Sequence, residues 1–336
     1  MNQSKVRTTL LTTFLLTIAT AIFALGSGRF ELSALQVVQT LASCFSDSSS
    51  VTEVMKSVIL QVRLPRVMLA VLAGAGLAAA GAAFQALFSN PLATPDTLGV
   101  ATGSAFGAVL AILFGVSGLG IQCAALIAGL VSVALVCFVS RIQGRSSILM
   151  LILSGLVIGA LFSALISLVK YAADPQDVLP SITFWMMGTL TGASTKTLLL
   201  GLPFIIFGTL TLWLLRWKLN ALSLPEDEAK ALGIPVQRLR LIVIVAATMI
   251  TAAVVSMCGL IGWVGLLIPH FARLLIGNNN QHVVSASILL GALFLCVCDT
   301  LARCASQMEI PVSILTAVLG APVFIVLLRR NGLIRG

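Results

Sequence analysis

Few residues in this sequence have side chains suited to catalysis, and they are widely scattered. The chain of 336 residues contains 11 aspartates and glutamates but only two histidines, His270 and His282. The sequence shows no paired-carboxylate site, no Ser-His-Asp set, no HExxH zinc motif and no glycine-rich phosphate loop. It therefore predicts a protein that has no catalytic residue of its own and no means of hydrolysing ATP.

The cysteines do not have the spacing of a metal site. The sequence has seven, at Cys44, Cys123, Cys137, Cys258, Cys296, Cys298 and Cys304. Most of them fall inside apolar runs, and two histidines are too few to complete zinc-like sets. We interpret the cysteines as small apolar packing residues and predict that the chain binds no metal.

Ionisable residues inside apolar segments are costly and usually functional in a membrane. Here they are Asp299, Arg303 and Glu309 around one loop, and His270 with Arg273 on a short segment. No continuous relay of carboxylates runs along the apolar segments, which argues against a secondary transporter driven by an ion gradient. We expect His270, next to a proline, to be a structural residue.

The composition indicates what must position these residues. Of the chain, 59% is hydrophobic and 9% charged, whereas a soluble domain has about 25% charged residues. Apolar runs recur throughout the chain, and their length is close to the roughly 20 residues with which a helix spans a bilayer. They lack the alternation of apolar and polar residues that is typical of barrel strands. The fold class is therefore all-α, a polytopic membrane protein with a transport function.

Hydropathy predicts about ten spans in a single transmembrane domain covering 1–336. They lie near 8–26, 64–88, 97–115, 118–140, 147–169, 182–217, 238–260, 262–276, 283–304 and 311–328. Within 182–217 the glycines and Pro203 favour a turn followed by one span from about 197. The 262–276 segment is short and contains Pro269, so it is expected to be a short or tilted half-span. We expect the first span to be retained rather than cleaved as a signal peptide.

The positive charges are distributed asymmetrically between the two sides. With a cytoplasmic N-terminus, 13 of the 20 lysines and arginines fall on the cytoplasmic side, which fits the positive-inside tendency and cytoplasmic termini. The net charge of +9 is scattered singly between apolar runs, so nucleic acid is not a predicted partner, whereas membrane lipid is. Arg63, Arg66 and Arg303 fall on the outer side and require an acidic partner.

The connection 218–240, KLNALSLPEDEAKALGIPVQRLR, begins with helix-start signals. Ser223 and Glu226 have the spacing of a capping box, in which each side chain satisfies the N–H group of the other residue. Pro225 falls in the predicted first turn, where a missing N–H costs little.

The same connection also contains helix-stop signals. Gly233 suits the left-handed position after a helix, and Pro235 prevents continuation. The pattern predicts a cytoplasmic helix over about 224–232, which is marginal in water unless it packs against something. It is either a simple surface helix or a docking helix for a cytoplasmic partner.

Four ordered segments resemble the FecCD-type permeases, the membrane subunits of binding-protein-dependent ABC importers for iron-siderophores, haem and cobalamin. The segments are VRLPRVMLAVLAGAGLAAAGAAFQALFSNPLATPDTLGVATGSAFGA (62–108), ALSLPEDEAKALGIPVQRLR (221–240), GLIGWVGLLIPHFARLLIG (259–277) and DTLARCASQMEIPVSILTAVLGAPVFIVLLRR (299–330). The resemblance covers about four-fifths of the chain.

The resemblance implies a bacterial inner-membrane assembly of two permease copies, two cytoplasmic ATPases that bind ATP and Mg²⁺, and one periplasmic binding protein. It implies that this chain binds no cofactor. The implied ATPase-coupling residues are Leu222, Ser223, Leu224, Pro225, Glu226, Asp227, Glu228, Ala229, Leu232 and Gly233. The implied binding-protein docking residues are Arg63, Arg66 and Arg303, and the implied cytoplasmic gate residues are Asn90, Leu92, Ser146 and Ser147.

The chain departs from the family pattern at three places. Trp263 stands where the family often has Phe, Ser313 stands where it usually has Gly, and residues 278–282 read Asn-Asn-Asn-Gln-His instead of an acidic-His-basic turn. By resemblance the expected cargo is a ferric siderophore or another iron complex. Cobalamin, haem and an oxyanion such as molybdate remain alternatives.

Overall fold

Apolar segments of this length satisfy their backbone hydrogen bonds within helices, and the chain is built almost wholly in that way. The computed structural model describes residues 3–28, 30, 32–43, 52–142, 145–306 and 309–330. Cys44, one of the seven cysteines, lies outside these ranges.

The described residues form fifteen α-helices and one small hairpin. The helices are α1 (Gln3–Gly26), α2 (Ala34–Ala42), α3 (Glu53–Lys56), α4 (Leu64–Leu87), α5 (Val100–Leu113), α6 (Leu119–Val139), α7 (Ile148–Ala172), α8 (Val178–Met186), α9 (Thr195–Leu214), α10 (Leu219–Leu222), α11 (Glu226–Ala231), α12 (Val236–Cys258), α13 (Val264–Ile276), α14 (Asn280–Cys304) and α15 (Val312–Arg330). A π-helical segment, Ser57–Arg63, joins α3 to α4, and a 3-10 turn, Pro95–Leu98, precedes α5. Strands β1 (Arg141–Ile142) and β2 (Arg145–Ser146) pair antiparallel.

The predicted all-α membrane bundle is confirmed. Among the described residues, seven helical segments are long and apolar enough to cross a membrane, and three shorter apolar helices lie at 100–113, 264–276 and 312–326. The ambiguous 182–217 region separates into α8 and α9. Helix α9 begins at Thr195, two residues from the predicted start, because Ser194 and Thr197 form a reciprocal capping box.

Helix α4 is the centre of the bundle and packs against α9, α12, α13 and α14. Its run of alanines and glycines lets neighbouring backbones approach closely, as the sequence predicts. At Gly74 an added Cβ would overlap the carbonyl group of Gly291 in α14, and at Gly81 it would overlap Gly265 in α13. At these two contacts α14 and α13 lie so close to α4 that no side chain larger than that of glycine fits between the backbones.

Helix α4 also defines the two ends of the bundle. Its 24 residues span about 36 Å at 1.5 Å per residue. Arg66 lies in its first turn, and Ala86 in its last turn contacts the connection that carries α11. We call these the Arg66 end and the α11 end.

Candidate functional sites at the two ends of the bundle

Helix α11 forms where the sequence places its signals, although it starts later than predicted. It covers Glu226–Ala231, preceded by Pro225 as the N-cap residue. Acidic residues occupy its first turn, at the positive end of the helix dipole. Gly233 takes the left-handed conformation with φ of 74°, as its position after the helix predicts.

The predicted capping box at Ser223 and Glu226 is wrong. Ser223 ends helix α10 in a right-handed helical conformation, so the hydroxyl faces the bundle. It donates to the carbonyl oxygens of Ala86 at 3.4 Å and Leu219 at 3.3 Å. Because α10 occupies 219–222 and Pro225 is extended, α11 starts at Glu226 and has no side-chain cap.

Helix α11 is attached to the start of α12 by one carboxylate. Glu226 lies 2.9 Å from Lys230 Nζ and 3.4 Å from Nη2 of Arg240, a buried residue of α12. The hydrogen bond from Lys230 and the positive charge of Arg240 hold the pKa of Glu226 below its ordinary value, against the opposing effect of partial burial. Ala229 is buried beneath the helix.

The residues on either side of α11 expose apolar side chains to solvent. The side chains of Leu224 and Leu232 are 41% and 65% exposed. Asp227 and Glu228 are also exposed on this helix. A six-residue helix that is flanked by two exposed leucines is suited to packing against another protein.

A cluster of polar side chains joins α10 to the bundle, and we call Asn220, Ser223, Asn279 and Asn280 the asparagine junction. The Asn220 Oδ1 atom accepts from the Asn280 backbone N–H at 2.8 Å. The Asn220 amide donates to Asn279 Oδ1 at 2.9 Å, and the Asn280 amide donates to Ser223 Oγ at 3.3 Å. Together with the bond from Ser223 to Ala86, the junction ties the α11 connection to the end of α4 and the start of α14.

The sequence reasoning missed this junction. In the sequence, the run Asn278–Asn280 stands out only as a departure from the family pattern. An available signal was the asparagine run directly before a long apolar helix, where Asn favours the N-cap. Asn279 does cap α14 by accepting from the Gln281 N–H at 3.0 Å.

A polar cavity of about 620 Å³ lies beside the junction. Its wall includes Gln85, Asn90, His270 and Arg273, and none of its described lining residues is acidic. The Arg273 guanidinium donates to Gln85 Oε1 of α4 and to the Pro269 carbonyl. His270 is buried and stands edge-on to the ring of Phe324 in α15.

The predicted gate residues lie in two separate loops at the α11 end. Asn90 and Leu92 are exposed in the turn after α4, where Asn90 Oδ1 accepts from the Leu92 N–H at 2.9 Å. Ser147 caps α7 by accepting from the Met150 N–H at 3.2 Å. Ser146 pairs with Arg141 in the hairpin, and its side chain lies outside the described part. Within the described residues no hydrogen bond joins the two loops.

At the opposite end the three predicted docking arginines are buried, with exposures of 6% for Arg63, 7% for Arg66 and 9% for Arg303. Arg66 Nε lies 2.8 Å from Asp299 Oδ1, and Arg66 Nη1 lies 2.7 Å from Glu309 Oε2. Arg303 forms a second ion pair with Asp299, at 3.2 Å. Arg66 and Arg303 therefore find their acidic partners within the same chain.

Backbone carbonyl groups at the end of α1 complete this cluster. Arg63 Nη1 donates to the carbonyl oxygens of Leu25 at 2.7 Å and Gly26 at 2.8 Å. Arg303 Nη2 donates to the carbonyl oxygen of Ala24 at 3.0 Å. The arginines thus fasten α1, α4 and α14 together at the Arg66 end.

Comparison with known proteins agrees with this architecture. The model of the FecCD transport family matches residues 15–330. The chain is 44% identical to the molybdate import system permease protein MolB of Haemophilus influenzae over 95% of each chain. It is 40% identical to an iron chelatin transport system permease protein of Helicobacter pylori, over 82% of this chain and 83% of that one.

A solved structure of an inward-facing metal-chelate type ABC transporter has the same fold. It superimposes with a TM-score of 0.86 at 42% identity, covering 96% of this chain and 98% of that one. Permeases of this family are not enzymes, and ATP is handled by a separate ATPase subunit, which accords with a sequence that lacks catalytic motifs. The chain belongs to the FecCD transport family and is a multi-pass membrane permease subunit of an ABC importer.

Proposed function

We propose that two copies of this chain form the transport pathway, and that a cytoplasmic ATPase docks on helix α11 of each copy. The observation that carries the proposal is the construction of α11. The helix is fixed to α12 through Glu226 and Arg240, yet it leaves Leu224 and Leu232 exposed. Two exposed leucines that flank a short helix fixed in position form an apolar surface that a partner protein can bury.

In this proposal, movement of α11 reaches the rest of the permease through two contacts. Glu226 passes displacement of α11 to Arg240 and hence to α12. Ser223 passes it to the last turn of α4, and residues 88–94, which contain Asn90 and Leu92, follow directly. ATP and Mg²⁺ act on the ATPase, and the permease residues transmit the motion to the gate loops.

We place the α11 end in the cytoplasm, together with both termini. Support comes from the positive charges that the chain carries there, at Arg216, Lys218, Lys230 and Arg238. The periplasmic binding protein then docks at the Arg66 end. Since Arg63, Arg66 and Arg303 are engaged inside the chain, we propose that they fix the shape of the docking face and contribute positive potential to it.

For cargo, we propose an oxyanion of the molybdate class. The support is the similarity to the molybdate permease, which extends over 95% of both chains. An iron chelate, the cargo expected from the family resemblance, is the second candidate, because the iron chelatin relative is 40% identical over 82% of this chain.

Uptake into proteoliposomes distinguishes the two cargoes. The chain is reconstituted with the ATPase and the binding protein from its own operon, with ATP inside, and radiolabelled molybdate or a ferric siderophore is supplied outside. We expect molybdate to accumulate and unlabelled ferric siderophore not to compete. Accumulation of iron without molybdate would replace the proposed cargo by the second candidate while leaving the importer assignment intact.

A further inference from the structure

An apolar groove opens on the membrane-facing side of the bundle, between the peripheral helices α1 and α9. Its volume is about 710 Å³, and its floor is formed by α4 and α14. Leu10 of α1, Leu72 of α4, Ile205 of α9 and Ile288 of α14 line it. Ile206 and Leu210, on the rim, are exposed on the outer surface of α9, so the groove faces the lipid rather than the packed core.

The groove changes character along its length. The apolar part reaches Ile205, and polar groups occupy the α11 end, where Arg216, Gln281 and His282 line the wall. Arg216 lies eleven positions after Ile205 on the same chain segment, a rise of about 16 Å as helix. That is about half of the 30 Å hydrocarbon thickness, the depth of one leaflet.

At the polar end of the groove, the side chain of Arg216 is fixed in position by Trp213. The Arg216 guanidinium stacks on the ring of Trp213 at 3.9 Å from its centroid and donates one N–H to the Trp213 carbonyl at 2.7 Å. No described residue pairs with its other N–H donors, and none of the described lining residues is acidic. Tryptophan beside arginine is the arrangement expected at the level of lipid headgroups.

We propose that this groove binds an anionic phospholipid, with an acyl chain along the apolar part and the phosphate at Arg216. The length of the apolar part, its opening toward lipid and the single unopposed cation at the headgroup level all match that ligand. A neutral apolar molecule would make no use of Arg216, and a soluble anion would make no use of the apolar part. The proposal does not depend on the cargo.

The position of the headgroup gives the lipid a role in coupling. Arg216 lies four residues before Asn220, and His282 lies two residues after Asn280, so the polar end of the groove flanks the asparagine junction. A phosphate held there restrains α9 and α14 beside the junction. Bound lipid is therefore expected to stabilise the attachment of the α11 connection.

Native mass spectrometry of the full chain in detergent tests the proposal with two lipids of identical acyl chains, phosphatidylglycerol and phosphatidylcholine. The wild type is expected to retain phosphatidylglycerol selectively. Arg216→Gln should weaken phosphatidylglycerol binding by roughly tenfold, the effect of losing a charge-assisted hydrogen bond, and Arg216→Lys should retain most of it. Arg238→Gln, an exposed arginine of α12 outside the groove, is the matched control and should bind as the wild type does.

A second pair of variants tests the apolar part. Ile206→Trp fills the groove and should reduce binding of both lipids, whereas Leu199→Trp, on the same helix outside the groove, should not. Equal lipid retention by the wild type, Arg216→Gln and Ile206→Trp would overturn the proposal. Competition by millimolar glycerol phosphate would also overturn it, because the site would then belong to a soluble anion. If Arg216→Gln fails to fold, the proposal is tested by two remaining experiments. These are the comparison of Ile206→Trp with Leu199→Trp and the competition with glycerol phosphate.

Discussion

The side-chain oxygen of Asn220 accepts a hydrogen bond from the backbone N–H of Asn280 at 2.8 Å, across 60 residues of sequence. Asn280 is the first residue of α14, and the first N–H groups of a helix have no partner within the helix. Asn220 supplies one from the α11 connection. The α11 connection is therefore attached to the bundle through a backbone N–H of α14 that needs a hydrogen-bond acceptor from outside its helix.

Replacing Asn220 by alanine should loosen that attachment. The variant leaves the Asn280 N–H without its partner and removes one of the two donors to Asn279 Oδ1, so displacement of α11 is passed on less completely. We expect the reconstituted complex to hydrolyse ATP near the wild-type rate while cargo transported per ATP falls severalfold. Parallel measurement of hydrolysis and uptake checks this.

Asn278→Ala is the matched control for that experiment. Asn278 belongs to the same asparagine run and lines the neighbouring cavity, but lies outside the junction. Its uptake per ATP should equal that of the wild type. If both variants behaved alike, the junction would have no specific part in coupling.

The attachment of α11 should weaken in acid because of Glu226. Its pKa is lowered by Lys230 and Arg240, so the stabilisation is fully present above the ordinary glutamate value of about 4.3 and is lost as the pH falls through the lowered folded-state value. At neutral pH, Glu226→Gln should increase amide exchange in 226–231 by at most about fivefold, since a solvent-screened pair contributes at most about 1 kcal/mol.

Amide exchange in residues 226–231 of the Asp227→Asn variant is the control for Glu226→Gln. Asp227 is the neighbouring exposed carboxylate and lies outside the ion pairs around Glu226. Because Asp227 contributes only its charge at the positive end of the helix dipole, its substitution should increase exchange less than Glu226→Gln does. Faster exchange in Asp227→Asn than in Glu226→Gln would mean that dipole charge, rather than the contact with α12, holds the helix.

Gly81 should not tolerate even a methyl group. An added Cβ would overlap the Gly265 carbonyl group, and neither backbone can move without displacing a helix. We expect Gly81→Ala to reduce the free energy of unfolding in detergent by about 1–3 kcal/mol, the usual cost of overpacking. Gly192→Ala, at a glycine with open space around it, should be neutral.

Loss of one carboxylate should destabilise the Arg66 end. Asp299 is 1% exposed and is paired with both Arg66 and Arg303, so Asp299→Asn leaves two buried guanidinium groups without their shared counter-charge. We expect a loss of about 3–5 kcal/mol in the free energy of unfolding. Denaturant unfolding of the Asp299→Asn variant measures this loss. Asp177→Asn, which changes an exposed aspartate at the same end, is the control, and equal stability of the two variants would contradict the account.

The spans and α11 were predictable because they depend on local signals. An apolar run of about 20 residues must be helical in lipid, and Gly233 and Pro235 end α11 wherever the rest of the chain lies. The predicted start of α11 was nevertheless wrong, because whether Ser223 caps α11 or ends α10 depends on its contact with Ala86 of α4.

The pairings between distant residues could not be read from the sequence. Arg66 and Asp299 are 233 residues apart, and they meet because α4 and α14 pack at Gly74 and Gly291. The composition showed that the outer arginines needed an acidic partner, but it could not show that the partner lies in the same chain. The asparagine junction was missed for the same reason.

The most direct test of the central claim is the dependence of uptake on the ATPase. Proteoliposomes containing this chain and its binding protein are prepared with and without the ATPase subunit, each with ATP inside and with or without a proton or sodium gradient. The account predicts cargo accumulation only when the ATPase and ATP are both present, and its loss in a complex whose permease carries Leu232→Asp, directly after α11. Accumulation driven by an ion gradient in vesicles that lack the ATPase would contradict it.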